Sequence, residues 1–262
     1  MYRRGLPAAF AAGVAAATLR PLFAQAQTRG AGEGPRVGLV VHPDMILLDL
    51  AGPLTVFSLM MASIHLVWKT REEVKTDVGI PVQPTHSFES CPVDLDLLFV
   101  PGGLKGTTAL MQDHATLDFL ADRGARARYV TSVCTGALAL GAAGLLRGHR
   151  ATSHWYVRDL LPLFDATPVA ERVVVDRNRI TAGGVTAGLD FGLELCARMR
   201  GEDYARRVQL LLEYAPHPPF SAGSPESAGT TLTAEVLERR APALAEARAA
   251  AQAAAARLGT SR

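Results

Sequence analysis

The feature that most constrains this chain is an apolar strand that runs directly into a helix built from small residues. The strand covers residues 129–133, and Cys134, Thr135 and Gly136 follow it before an alanine- and leucine-rich helix. Strands that alternate with helices are typical of parallel sheets, because parallel strands need a crossover connection. A sharp turn between the two elements lifts the Cys134 side chain above the strand ends, where open α/β sheets bind ligands.

The rest of the chain repeats this alternation. Short apolar runs typical of buried parallel strands occupy residues 37–41, 64–68 and 95–100, and a hairpin is predicted over 172–182. Helices are predicted over residues 54–62, 110–126, 135–146 and 187–199. The pattern predicts a flavodoxin-like α/β sandwich with a mainly parallel sheet and a cysteine nucleophile elbow.

The first 26 residues differ from the rest of the chain. Arg3 and Arg4 are followed by an apolar run over residues 8–19, and then by Arg20 and an Ala-Gln-Ala ending, with no acidic residue among them. These are the parts of an export signal, and the paired arginines favour a twin-arginine signal. An amphipathic first helix of the fold is the alternative. We therefore predict a periplasmic protein, or a cytoplasmic one if the signal does not function.

The remaining segments are predicted from composition. With 48% hydrophobic and 20% charged residues among 262, the chain excludes extensive disorder. A linker is predicted over residues 27–35, the α/β domain over 36–225 and a helical tail over 226–262. Eleven of residues 241–256 are alanine, which indicates a helix with little apolar bulk, at the periphery or against a partner.

The charge of the chain bears on its partners. Removal of the predicted signal takes three of 27 basic residues, so 24 basic residues face 25 acidic ones and the net charge is −1. This balance excludes an electrostatic case for nucleic acid. No apolar run outside the signal reaches the ~20 residues of a membrane span. A small neutral substrate is easier to accommodate with this charge.

The three cysteines, Cys91, Cys134 and Cys196, lie far apart and form no Cys-x-x-Cys pair. The spacing therefore indicates neither a disulfide framework nor a zinc site, and we predict no metal. Cys134 is the one at a strand-to-helix turn, where unpaired amides and the helix dipole favour a thiolate. The alternative is that Cys134 is a small buried core residue.

Two further segments are predicted to meet Cys134. Gly102 and Gly103 end a neighbouring strand, and their amides, with that of Thr135, are candidates to stabilise charge on a substrate, unless they form an ordinary turn. Asp49 stands among leucines just before a predicted helix. It is either a helix cap or a partly desolvated carboxyl group that exchanges a proton with a ligand beside Cys134.

These motifs resemble the DJ-1/PfpI superfamily, and within it the bacterial isonitrile hydratases. The resemblance covers roughly residues 36–225. It is carried by five segments, which are Leu-Asp-Leu-Ala-Gly-Pro at 48–53, Pro-Gly-Gly at 101–103, Val-Cys-Thr-Gly at 133–136, Arg-Ala-Thr-Ser-His-Trp at 150–155 and Thr-Ala-Gly-Leu-Asp at 186–190.

The resemblance implies a reaction and a set of catalytic residues. Cys134, Asp49 and Thr135 match the family's cysteine, aspartate and threonine. They would hydrate an isonitrile to an N-substituted formamide through a cysteine thioimidate, with no metal or organic cofactor. The family is dimeric, so the resemblance also implies a homodimer. The alternative is an exported ligand-binding or redox-sensing protein of the same fold that has no catalytic activity.

Two other polar residues receive structural interpretations. His154 lies 20 residues beyond Cys134, whereas related hydrolases that use histidine place it directly after the cysteine, so we interpret His154 as structural or pocket-lining. Asp190 is predicted to cap a helix or to lie in its first turn.

Overall fold

The computed structural model describes residues 34–259. The predicted signal, residues 1–26, and most of the predicted linker, 27–35, lie outside the described residues, so both stay predictions. The strands are β1 (Arg36–Val40), β2 (Ser63–Trp68), β3 (Val74–Lys75), β4 (Pro81–Val82), β5 (His86–Ser87), β6 (Leu97–Val100), β7 (Tyr129–Ser132), β8 (Arg150–Ala151), β9 (Thr167–Pro168), β10 (Val173–Asp176) and β11 (Arg179–Ala182).

Eight α-helices are found among the described residues, together with a 3-10 helix, Trp155–Phe164. The α-helices are α1 (Leu47–Leu59), α2 (Leu104–Gln112), α3 (His114–Arg126), α4 (Gly136–Ala142), α5 (Ala187–Arg200), α6 (Glu202–Leu211), α7 (Pro225–Ala228) and α8 (Thr230–Leu258). Within residues 34–259, no helix is long and apolar enough to cross a membrane.

Seven strands form the central sheet, in the order β10-β11-β7-β6-β1-β2-β5. All neighbours pair in parallel except the β10–β11 hairpin at one edge. The predicted fold class, a mainly parallel α/β sheet, is confirmed. Because β1, β6 and β7 are adjacent and parallel, the segments that follow them leave the sheet at the same edge.

Helices cover both faces of the sheet, and successive residues of β6 show why. Leu97 and Phe99 point into the apolar cluster with α1 and α5, whereas Leu98 and Val100 point into the cluster with α2, α3 and α4. Side chains of a strand alternate between faces, so a strand buried on both sides must be apolar throughout. This explains the uninterrupted apolar runs in the sequence.

Three predicted helices have different boundaries in the structure. The helix predicted over 135–146 covers Gly136–Ala142 and is followed by turns. The helix predicted over 54–62 begins at Leu47, with Pro53 inside it, because the Leu47 amide donates to Oδ1 of Asp77 (2.9 Å) from a distant loop. The helix predicted over 110–126 is two helices. They are separated at Asp113, which has an extended backbone and whose Oδ2 accepts a hydrogen bond from Thr116 (2.9 Å). A side chain that hydrogen bonds within the next turn competes with the helical backbone, so Asp113 ends α2 and α3 begins after it.

The alanine-rich tail is helical, as predicted, but its second half is not peripheral. Five alanines are fully or almost fully buried in the same apolar cluster as α2–α4, namely Ala247, Ala250, Ala251, Ala254 and Ala255. Their spacing places them on one helix face. Alanine side chains are small enough to let α8 pack closely against the domain, so low apolar bulk does not prevent burial here. The predicted boundary at residue 225 stays a prediction.

Candidate active site

Cys134 occupies a strained turn that the surrounding backbone holds in place. Its φ angle is +58°, a left-handed conformation that residues other than glycine seldom adopt. The Cys134 amide donates to the carbonyl oxygen of Gly183 (2.8 Å), and its own carbonyl accepts from Ser153 Oγ (2.8 Å) and the His154 amide (3.0 Å). Strain of this kind persists only where neighbours fix it and is concentrated at functional sites.

Two glycines let the turns after β6 and β7 approach each other. A Cβ atom on Gly136 would stand 2.3 Å from the carbonyl oxygen of Val100. One on Gly102 would stand 2.6 Å from Cβ of Cys134 and 2.7 Å from Oδ2 of Asp49. Any larger residue would force these backbones apart. The glycine at 102 therefore brings the cysteine and the aspartate together.

Asp49 lies in the first turn of α1 and is fully buried. The residue that caps α1 is Ile46 and Asp49 lies inside the helix, so the cap interpretation is wrong. Instead, Oδ2 accepts a hydrogen bond from the Gly102 amide (2.9 Å). Oδ1 accepts none from any nitrogen or oxygen of residues 34–259. A buried carboxylate oxygen without a partner is costly, which makes this atom available to a ligand or a proton.

Thr135 is also fully buried, and its hydroxyl oxygen accepts from the Gly103 amide (3.0 Å). The same oxygen lies 2.8 Å from Oγ1 of Thr107 on α2. The Gly102 and Gly103 amides, predicted to contact substrate, are thus engaged with Asp49 and Thr135 in the structure. They position these side chains, and direct contact with a substrate stays a prediction that would require them to release their present partners.

Burial changes the acidity of Asp49. It raises the pKa of this carboxyl group to about 7, although the Gly102 hydrogen bond and the neighbouring Cys134 thiol oppose the rise. The cause is desolvation, which disfavours the charged form of a carboxyl group. A carboxyl group with a pKa near neutrality exchanges protons readily in either direction, as a general acid or base requires.

The sequence-based expectation of a stabilised thiolate at Cys134 is wrong for this structure. Burial raises the pKa of the thiol well above its ordinary value, and the adjacent Asp49 carboxylate raises it further. The amides of Thr135 and Val185 face the sulfur and oppose the rise, but burial outweighs them. The resting site therefore holds Cys134 as a thiol, and its proton must be removed as the sulfur reacts.

His154 and Tyr156 stand beside this pair. Burial lowers the pKa of His154 to about 4, so its imidazole is neutral at pH 7, in line with the structural interpretation. Its ring centroid lies 3.7 Å from that of Tyr156. Burial is the main cause that raises the pKa of the Tyr156 phenol, and the nearby Asp49 carboxylate adds to it. Sequence reasoning missed Tyr156, although its position directly after the His-Trp motif was a signal.

The remaining residues that the sequence analysis singled out, Asp190, Cys91 and Cys196, do not belong to the site. Asp190 lies in the first turn of α5 and pairs with Arg172 (2.5 Å), which confirms its structural interpretation. Cys91 and Cys196 are buried free thiols away from the elbow. In the part of the chain that the structure describes, no group of three or more His, Cys, Asp or Glu side chains is arranged to hold a metal ion.

A cavity of about 270 Å³ adjoins the elbow. Ser153 and Gly183, which both hydrogen bond to the Cys134 backbone, line it together with the ring of Trp155. An apolar ring next to polar groups is a common composition for a small-molecule site.

A buried cysteine beside a buried carboxyl group, on a strand-to-helix elbow of a parallel α/β sheet, defines a nucleophile-elbow protein, and comparison identifies the family. Residues 35–198 match the model of the DJ-1/PfpI family, and this chain belongs to that family. It is 51% identical to an isonitrile hydratase of Pseudomonas putida over 210 residues, which cover 80% of this chain and 91% of the relative. The chain is thus a homologue of isonitrile hydratase.

Two solved structures and a second relative are also similar to this chain. A THiJ/PfpI family protein from Pseudomonas syringae superposes with a TM-score of 0.82 at 46% identity, covering 90% of this chain and 98% of that one. Drosophila melanogaster DJ-1beta, at 20% identity and a TM-score of 0.64 over 70% of this chain and all of that one, shares the fold. The transcriptional regulator GbdR of Pseudomonas aeruginosa is 27% identical over 68% of this chain and 50% of its own length.

Proposed function

We propose that this protein hydrates isonitriles to N-substituted formamides. The observation that carries the proposal is the buried pair of Cys134 and Asp49, in which Asp49 titrates near neutrality and Cys134 keeps its proton. The homologous isonitrile hydratase supports the choice of substrate. A thiol nucleophile with an adjacent proton carrier is what addition to a small electrophilic carbon requires.

The first step forms the thioimidate. The Asp49 carboxylate takes the proton from Sγ of Cys134 while the sulfur bonds to the terminal isonitrile carbon. Asp49 then gives this proton to the same carbon, which leaves the substrate bound as S–CH=N–R. The amides of Thr135 and Val185, which face the sulfur, stabilise negative charge on it as the proton leaves. The uncommitted Oδ1 of Asp49 is the atom that carries the proton.

The second step releases the product. Asp49 takes a proton from water as the water oxygen bonds to the thioimidate carbon, and gives this proton to the substrate nitrogen. The bond between carbon and sulfur then breaks as the added hydroxyl group becomes the formamide carbonyl. Its proton passes through Asp49 to the Cys134 sulfur, so the thiol and the carboxylate are restored and the N-substituted formamide leaves. One isonitrile and one water become one formamide, so atoms and electrons balance without an external oxidant or reductant.

The test is turnover by the purified protein. With a simple aryl isonitrile, we expect a chromatographic assay to show the corresponding formamide in an amount equal to the isonitrile consumed. Absence of formamide, with Cys134 still alkylated by iodoacetamide, would contradict the proposal. In that case the elbow serves a ligand that is not hydrated.

The pH dependence provides a second prediction. Asp49 must be ionised to act as the base, and burial raises its pKa to about 7, so kcat/KM should rise between about pH 5 and about pH 8 with an apparent pKa of about 7. It should then stay level to about pH 9, because Cys134 remains a thiol there. Initial rates in buffers of constant ionic strength measure this profile, and a value that falls through pH 7 would contradict the assignment of Asp49 as the base.

A raised thiol pKa weighs against the redox-sensing alternative. Oxidation by peroxide begins at the thiolate, and burial beside Asp49 keeps Cys134 protonated.

We also propose that the protein acts as a homodimer. Among its large apolar side chains, Leu48 is half-exposed and Leu210 and Leu211 at the end of α6 are exposed, and a second copy would cover such surface. Light scattering tests this, since the mass of one chain would contradict it.

A further inference from the structure

We propose that Thr107 is a positioning residue that directs the hydroxyl proton of Thr135 toward the reacting substrate. The inference rests on the proposed function, because its effect is on that reaction. Thr107 lies on α2 and is fully buried. It belongs to none of the motifs that carry the family resemblance, and only the tertiary structure brings it to Thr135.

The argument starts from the hydrogen-bonding capacity of a hydroxyl group, which has one proton to donate and two lone pairs. Oγ1 of Thr107 and Oγ1 of Thr135 are 2.8 Å apart, so one hydroxyl donates to the other. Oγ1 of Thr135 also accepts from the Gly103 amide at 3.0 Å, which uses one of its lone pairs.

The partners of Thr107 decide which hydroxyl donates. Within residues 34–259, Oγ1 of Thr107 has no hydrogen-bond partner except Thr135. Both hydroxyls are buried, so either direction leaves one proton without an acceptor among the described residues. The Thr107 proton would be enclosed on α2, where no ligand supplies an acceptor, which is unfavourable. The Thr135 proton belongs to the residue whose amide faces the Cys134 sulfur, where a bound substrate or water supplies the acceptor. With Thr107 as donor, Thr135 accepts two hydrogen bonds and keeps its proton for that ligand.

The loop that holds Thr135 also holds Asp49. The consecutive amides of Gly102 and Gly103 hold Asp49 and Thr135, and Oδ1 of Asp49 also lacks a nitrogen or oxygen partner in the described chain. The site thus presents a carboxyl group beside the Cys134 thiol and a hydroxyl proton that no described residue accepts. Asp49 moves the proton, and the Thr135 hydroxyl donates to the substrate atom on which negative charge develops when sulfur or water adds.

The test compares variants of Thr107 with a control on the same helix. Thr107→Val removes the hydroxyl at nearly constant shape, and we expect kcat for the aryl isonitrile to fall about 10-fold with KM unchanged. Thr107→Ser keeps the hydroxyl and should restore kcat. The control is Thr108→Val, since Thr108 donates to the Leu104 carbonyl (2.7 Å) and should leave kcat unchanged.

Further measurements separate positioning from packing. The rate at which iodoacetamide alkylates Cys134 should be the same in wild type and Thr107→Val, because the thiol environment is unchanged. In a Thr135→Val background, Thr107→Val should cause no further loss of kcat, because the two hydroxyls act as a unit. If the valine variant does not fold, Thr107→Ala replaces it.

Three outcomes would overturn the inference. Full kcat in Thr107→Val would do so while the proposed function stands, and so would equal losses in the valine and serine variants, which indicate packing alone. A wild-type protein that makes no formamide would remove the proposed function and this inference with it.

Discussion

Replacement of Cys134 by alanine is expected to reduce formamide formation by at least about 1,000-fold, because no other group near Asp49 can form the covalent intermediate. Cys91 and Cys196 are also buried thiols, but neither lies on the elbow. Chromatographic assay of the product with an aryl isonitrile measures the loss. The fold should persist, since alanine removes a single sulfur atom from a turn that backbone hydrogen bonds hold.

The matched control is Cys196→Ala on α5, which also removes a fully buried thiol but should keep wild-type turnover. Mass spectrometry during turnover adds an independent readout, because the thioimidate increases the mass of the wild-type chain and not that of Cys134→Ala. Formamide formation by the alanine variant at more than a few per cent of the wild-type rate would refute covalent catalysis by Cys134.

Replacement of Asp49 by asparagine is expected to abolish turnover and to stabilise the protein at alkaline pH. Burial raises the pKa of Asp49 from 3.8 to about 7, so its protonated form favours the folded state. This contribution is fully present below about pH 4 and is lost as the pH rises through 7. Wild type should thus lose about 4 kcal/mol between about pH 4 and about pH 8 relative to a chain whose residue 49 does not titrate.

Urea unfolding of wild type and Asp49→Asn at the two pH values measures this change. The stability of the variant minus that of wild type should rise with pH, and because the comparison is between two pH values, any constant cost of the amide cancels. The matched control is Asp118→Asn, the same substitution at an exposed position of α3, and the change with pH should be much larger for the buried Asp49 than for this variant. A pH-independent difference for Asp49→Asn would mean that Asp49 does not titrate near 7 in the folded protein.

The two predictions distinguish the roles of the pair. Loss of Cys134 removes the covalent step, whereas loss of Asp49 removes the proton carrier and also relieves the cost of a buried charge. Groups that are poised for chemistry in this way commonly reduce the stability of the folded protein. A stabilised and inactive Asp49→Asn variant would therefore identify Asp49 as a residue retained for function.

The sequence by itself determined the sheet and the position of the elbow. Apolar runs such as Leu97–Val100 must be buried on both faces, and the small residues after Cys134 leave room only for a tight strand-to-helix turn. The strands and the elbow can be predicted locally, because the spacing of apolar residues and the size of side chains are read from neighbouring residues in the sequence. The motifs at 48–53 and 133–136 also sufficed to identify the family.

The tertiary structure decided what these residues do. The start of α1 depends on Asp77, 30 residues away, and the hydrogen bond that holds Asp49 comes from Gly102, 53 residues away. The direction of the Cys134 pKa shift depends on how completely the fold removes water from the thiol. The local sequence predicts only the amides of the turn, which lower this pKa. Burial of α8 and the contact of Thr107 with Thr135 likewise arise from elements distant in sequence, since desolvation and hydrogen-bond partners are properties of the packed chain.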